Sequence, residues 1–405
     1  MAEASNGELP LAGCLVIETG SVIAAAFCSQ LLADFGATVV KLEAPVGRAI
    51  DSLREWGMQY KDGEGFLSSI LNRNKKLATL DITTPEGARL LAEWLKRADV
   101  WVENFKPGTV ASWGFDDARL KSLNERLIHV AISGFGQTGP MAKLAAFGVV
   151  AEAMGGLRAL TGFEDRPPVR AGVSIGDFLT GLYSAFGIAI SLIERSRSNK
   201  GQSIDIAIYE AVLGVMEDLL PTYQIFDTIR KPVGTSFARR APANIYPTRD
   251  DSWVLISAGT DSQWRDLVSL FGKPDILQDS RFSSRSKRGD YGPEIDEIVS
   301  AWTREHDAYE IIALLRAKNV PVGKVNTAAD ILSDPHIKAR EVVAYVPDER
   351  VGTLAMQGVI PKMSRTPGRI KQSGGRIGRD TEEVYRSMLG LSGEDIAALQ
   401  KSRVI

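Results

Sequence analysis

The sequence predicts a two-domain α/β protein whose larger domain is a Rossmann-like, doubly wound parallel sheet. Three observations carry this. At 405 residues the chain exceeds what one ordinary core holds. Strand-like and helix-like segments alternate through its first half, the pattern of parallel strands joined by crossover helices. Near residues 225–243, "IFDTIRKPVGTSFARRAP" is basic, Gly/Pro-punctuated and aperiodic, and a second series of elements follows it.

Taken in order, "LAGCLVIETG" is an apolar run closed by Gly20, "IAAAFCSQLLADFGA" is helical up to Gly36, and "TVVKLEAP" is a β-branched strand stopped by Pro45. "LATLDIT" is a strand, "TPEGARLLAEWLKRA" a helix with Thr84 and Pro85 as cap and first turn, and "VWVENF" and "RLIHVAIS" are strands. Residues 176–194, "GDFLTGLYSAFGIAISLIE", form a helix apolar on nearly every side, which has to be buried against the sheet or a partner chain. "RSRSNKGQ" closes it, and "SIDIAIYEAVLGVMEDLL" reads as a strand running into a helix. Beyond the linker stand a strand, "WVLISAG", and the helices "DSQWRDLVSLFG", "GPEIDEIVSAWTREH" and "AADILSDPHIKAREVV". The closing "IGRDTEEVYRSMLGLSGEDIAALQKSRVI" is helical with a break near Ser392. The expected division is 1–224 for the large domain, 225–336 for a small one, and 337–405 returning to the first.

Composition narrows the function. A formal charge of −2 and a pI near 6.1 offer no electrostatic attraction for nucleic acid or an anionic membrane. Cys14 and Cys28 lie in apolar runs and read as packed free thiols of a reducing compartment. The opening "MAEASNGELPLAG" has neither a basic n-region nor an apolar h-region, and no segment reads as the ~18 apolar residues a spanning helix needs, so a cytoplasmic protein is expected. His129, His306 and His336 are scattered, each read as structural, and with two cysteines they make no metal-ligand spacing.

One motif invites a different class. In "ISGFGQTGP", Gly134, Gly136 and Gly139 spell G-x-G-x-x-G after a β-branched run. A dinucleotide turn places its third glycine in the first turn of a helix and an acidic residue about twenty positions on. Here Pro140 follows, the next helical run starts near Ala145, and Gly155-Gly156 occupy the acidic position. An irregular loop using glycine's freedom at positive φ fits better, with an NAD-dependent oxidoreductase as the alternative. Asp177, behind Gly176 at the head of the apolar helix, reads on its own as an N-cap carboxylate.

The segments "NRNKKLATLDITTPEG", "VENFKPG", "ISGFGQTGP", "TGFEDRPPVRAGVSIGDFLTGLYSAFG" and "GQSIDIAIYEAV", in this order and spacing, resemble the class III coenzyme A transferases of the CaiB/BaiF type. The resemblance is strongest over residues 11–217, weaker in the second domain, and returns in "IGRDTEEVY…SRVI". It implies an interlocked homodimer whose CoA site uses both domains. It implies transfer of CoA from an acyl-CoA to a free carboxylic acid through covalent intermediates on one aspartate, which corresponds to Asp177 in "SIGDFLTG". The thioester is then a substrate, and no cofactor is resident. For CoA the resemblance points to Ser21, Val22 and Ile23, to Leu71, Asn74 and Lys75, and to Asn104 and Phe105, with Lys75 and Lys76 on phosphate oxygens and Phe105 near the adenine or pantetheine.

Arg54 and Trp56 match a segment near the family's acyl pocket, where an arginine suits the second carboxylate of a dicarboxylic substrate. Backbone donors for tetrahedral oxyanions are expected from Gly136 and Gln137, and from Gly234, which resembles the family's mobile glycine loop. Succinyl-CoA as donor and a small dicarboxylate as acceptor are the expected pair. The chain departs from many members in "LAAFGVV", where Ala145, Phe147 and Gly148 lack the basic residue and the Tyr-Asp or Tyr-Glu pair found there, and at Ala44 in "KLEAP", where arginine is common. α-Methylacyl-CoA racemases, of the same superfamily, are the rival within CoA chemistry, but their histidine falls where this chain reads "AAFGVV".

Overall fold

In the computed structural model, which describes residues 9–48, 51–60, 62–237 and 240–405, the alternating pattern becomes a six-stranded sheet. Its strands are β1 (Leu15–Glu18), β2 (Thr38–Glu43), β3 (Lys76–Thr79), β4 (Val100–Glu103), β5 (Ile128–Ser133) and β6 (Ser203–Ala207), ordered β3-β2-β1-β4-β5-β6. Every neighbouring pair is parallel. The order reverses between β1 and β4, and at such a switch point the loops leaving the strands diverge to opposite faces and open a crevice.

The connecting helices are α1 (Val22–Asp34), α2 (Phe66–Leu71), α3 (Pro85–Leu95), α4 (Thr109–Ser112), α5 (Asp117–Leu123), α6 (Gly148–Met154), α7 (Leu157–Leu160), α8 (Ile175–Ser198) and α9 (Ile208–Leu213). Strand residues alternate between the two faces with period two. Val16, Val39, Val100 and Val102 pack with Ala25, Cys28 and Leu32 of α1 and Ile188 of α8. Ile17, Val40, Ala78 and Trp101 pack on the other face with Leu91, Trp94 and Leu95 of α3 and with Tyr385 and Ile396 from the C-terminal helices. As the sequence predicts, Thr84 caps α3 by accepting the Gly87 N–H, with Pro85 in the first turn.

Two units emerge, one of Met1–Leu157, Ala171–Leu219 and Lys338–Ile405, the other of Arg158–Arg170 and Leu220–Ile337. The first also holds the hairpin β10 (Val343–Asp348) and β11 (Gly352–Gln357). The second is built on an antiparallel sheet of β7 (Ala243–Pro247), β8 (Trp253–Ser257) and β9 (Val322–Lys324). Val254, Ile256, Trp264, Leu267, Val299 and Ile311 form its core with the helices Asp261–Val268, Gly292–Thr303 and Ala308–Ala317.

The long apolar helix is buried on one side only. Gly181, Ser184, Ile188, Ser191 and Arg195 of α8 form its inner face, and Gly181 lets α1 come so close that a Cβ there would lie 2.8 Å from the Ala24 carbonyl oxygen. Leu182, Phe186, Ile190 and Ile193 stay exposed, Phe186 at 61%. Against the expectation that no segment reaches spanning character, α8 is long and apolar enough to cross a membrane by length and composition.

Candidate active site

Asp177 stands in the first turn of α8, not at its cap: Ser174 is the N-cap, and the carboxylate lies within the turn where the helix dipole favours negative charge. Asp177 is half-buried, and its carboxyl group rests on the bare Cα of Gly148, the first residue of α6. One turn along α6, the buried Glu152 accepts the Gly176 N–H at 3.3 Å. Gly176 itself packs on the Glu152 stem and on Ile208 and Val212 of α9, so three helices meet behind the aspartate.

The switch point of the sheet forms a second focus. Asn104, just past β4, clamps the turn after β1 from both sides: Oδ1 accepts the Ser21 N–H at 2.8 Å and Nδ2 donates to the Ser21 carbonyl at 2.6 Å. Val22 follows with φ of 63°, a left-handed conformation that costs a β-branched residue about 1–3 kcal/mol. Its N–H donates to Asp51 Oδ1 at 2.9 Å, an oxygen that also accepts from the Leu53 N–H. A cavity of about 290 Å³ opens here, lined by Thr19, Ser21, Glu43, Asp81, Phe105 and Trp113. The Phe105 and Trp113 rings meet edge to face, with centroids 5.0 Å apart.

Buried charges underpin this turn. Lys41 Nζ pairs with Asp51 Oδ2 and Glu18 Oε1, both at 2.9 Å, and donates to the Gly20 carbonyl at 3.1 Å. Lys75 Nζ pairs with Glu18 Oε2 at 2.7 Å and donates to the Ala26 carbonyl at 2.9 Å, while Ser29 donates to the same Glu18 oxygen. Burial pushes the Glu18 carboxyl up, but the two ammonium groups outweigh it and hold it down at about 2. Burial alone favours a neutral Lys41, yet Asp51 and Glu18 beside it keep the ammonium charged.

The structure gathers Ser21, Val22, Asn104 and Phe105 at one place, and sets other expected CoA contacts elsewhere. Ile23 and Leu71 are core residues, packed with Leu53. Asn74 stitches the chain together, donating to Asp34 and the Arg369 carbonyl and accepting from the Lys371 N–H. Lys75 is fully buried on Glu18, without the surface access a phosphate requires, and Lys76 pairs with Glu383 at 2.8 Å.

The remaining expectations meet groups already engaged. Arg54, 3% exposed, holds Glu43 through two bonds of 2.7 and 2.6 Å and Glu64 at 3.0 Å, so its fork is filled by protein carboxylates and not open to a substrate's. Trp56 is exposed. The Gly136 N–H donates to Ser133 Oγ at 2.9 Å, and the Gln137 N–H lies 3.1 and 3.0 Å from the two Asp205 oxygens. Gly234 belongs to the second unit, with φ of 65°, its N–H on the Gly162 carbonyl at 2.8 Å and its Cα against the Phe163 ring.

Sequence reasoning passed over Glu18, Lys41, Asp51 and Glu152. A signal was there for two of them: Glu18 in "LVIE" and Lys41 in "TVVKLE" are charges inside strands that parallel packing buries on both faces, and a buried charge requires a partner. Among the described residues no three His, Cys, Asp or Glu side chains gather as a metal-ligand set. The third glycine of G-x-G-x-x-G opens no helix, since the next one begins at Gly148, which removes the footing of the oxidoreductase alternative.

Comparison with known proteins supplies the chemistry. The model of CoA-transferase family III matches residues 11–381. Succinyl-CoA–D-citramalate CoA-transferase of Chloroflexus aurantiacus is 43% identical over 396 residues, 98% of each chain. The succinyl-CoA–L-malate CoA-transferase beta subunit of the same organism is 37% identical over 98% of each, and succinate–glutarate CoA-transferase of Agrobacterium fabrum 33% over 96% of this chain and 98% of that one. The crystal structure of a CaiB/BaiF family protein from Brucella suis superposes with a TM-score of 0.85, at 31% identity over 93% of this chain and 99% of that one. A family match along most of the chain, joined by relatives aligned end to end, establishes that this protein belongs to CoA-transferase family III and is an enzyme that transfers coenzyme A.

Proposed function

We propose that the enzyme carries CoA from succinyl-CoA to a small dicarboxylic acid with Asp177 as covalent relay. The observation that carries this reading is the half-buried Asp177 carboxylate, set in the first turn of α8 and seated on Gly148. A carboxylate is already the nucleophilic form at neutral pH, so the step requires no general base. One Asp177 oxygen attacks the thioester carbonyl carbon, the C–S bond breaks, and CoA leaves as thiolate with a mixed anhydride behind it. The thiolate attacks the Asp177 acyl carbon, releasing succinate and leaving an aspartyl-CoA thioester. The acceptor carboxylate then attacks that thioester, and the thiolate freed in this way takes the acceptor's acyl group and restores Asp177.

The dicarboxylate preference rests on relatives named for citramalate, malate and glutarate, and no longer on Arg54. The CoA site of this reading includes the cavity at the switch point, with Phe105 and Trp113 offering ring faces to part of the molecule and the Asn104 clamp fixing the turn. No resident cofactor takes part. The exposed apolar ridge of α8 is the surface a homodimer covers, and the working compartment is the cytoplasm.

The test is peptide mass spectrometry after incubation with a panel of acyl-CoAs, with Asp177→Ala as control. A CoA adduct on the peptide carrying Asp177, formed with succinyl-CoA and absent in the variant, is expected. CoA binding without an adduct from any donor would overturn the relay.

A further inference from the structure

Gly148 differs from Gly87 and Gly201, two crowded glycines of its unit. A Cβ on Gly87 would strike the Asp81 carbonyl and one on Gly201 the Leu127 carbonyl, both backbone, so either change would disturb the fold itself. On Gly148 the three nearest heavy atoms are all of the Asp177 carboxyl group: Cγ at 3.0 Å, Oδ1 at 3.2 Å, and Oδ2 closer still. The obstacle is the end of one side chain and not the backbone. Gly148 is also the first residue of a helix and has no left-handed φ, so its backbone suits alanine.

Glu152 decides what gives way. It lies four positions on, on the same face of α6, and its hold on the Gly176 N–H pins the backbone beside Asp177. With Glu152 tying α6 to the backbone at Gly176, a methyl group at 148 meets the carboxylate first, and a displacement of roughly 1 Å is enough to cost a reaction about a hundredfold.

We propose that Gly148 is a positioning residue of the transfer reaction: the side chain it lacks is the space in which the nucleophilic carboxylate sits. This chain seats Asp177 by leaving room. The proposal rests on Asp177 being the nucleophile.

The experiment compares wild type with Gly148→Ala for turnover, for the single-turnover rate of adduct formation at Asp177, for CoA binding and for melting temperature. Expected are falls of about a hundredfold in kcat and in adduct rate, with the CoA dissociation constant unchanged and Tm not lowered. Adduct formation at the wild-type rate in Gly148→Ala overturns the proposal while leaving the relay intact. A wild type that turns over without any adduct overturns the relay and this proposal together. A readout independent of activity comes from the Asp177→Ala background, where the clash is gone: there Gly148→Ala should raise Tm more than it does in wild type, and equal shifts in both backgrounds overturn the proposal.

Discussion

Arg54 and Lys75 carry the plainest lesson about single residues. The family resemblance implies ligand contacts for both, and both are spent inside the protein, on Glu43 and Glu64 and on Glu18. A linear motif displays a cation, but the carboxylate that claims it stands 11 positions away for Arg54 and 57 for Lys75, invisible until the strands are side by side. That Asp177, Ser21 and Asn104 stand at the ends of elements was legible, because the sequence marks such boundaries, while their roles were read from the family resemblance. Removing one partner of a buried pair strands the other, so Arg54→Met is expected to lower unfolding free energy by about 3–5 kcal/mol in urea titration, with the preference between dicarboxylate and monocarboxylate acceptors unchanged. Altered acceptor preference at full stability would contradict the pairing. Glu18 sets an acid limit of its own. Its carboxyl is held below the ordinary range in the folded state, so its contribution is present above the unfolded pKa near 4.5 and is lost as pH falls from there toward 2. Measured from pH 5 to 3, the loss of stability should be steeper in wild type than in Glu18→Gln.

At the scale of elements, the parallel strands and their helices were legible because burial on both faces leaves long β-branched runs, and a 3.6-residue rhythm separates them. The hairpin β10–β11 and the strand β7 were not. "VAYVPD" and "ANIYP" each carry a proline, "GTLAMQ" opens on glycine, and such short mixed strands draw their order from pairing rather than from propensity. The helix α8 shows how one element answers to two surroundings, with small residues inside and large apolar ones outside. Gly181→Val should be strongly destabilising, since its side chain meets the backbone of α1, and a Tm within 2 °C of wild type would sink that account of the crossing.

For the whole molecule, the ridge of Leu182, Phe186, Ile190 and Ile193 is the feature the fold leaves unfinished. Light scattering is expected to give twice the 44.0 kDa chain mass, and Phe186→Glu to shift the population toward single chains. A wild-type mass of one chain would end the homodimer reading. The buried chain of Asp51, Lys41, Glu18 and Lys75 has a bearing on descent as well as on stability. Two carboxylates and two ammonium groups balance to no net charge, so replacing any one by a neutral residue leaves an unmatched ion in the interior. Lineages are therefore expected to lose these charges in opposite-sign pairs, so that the four positions diverge in step and not one at a time.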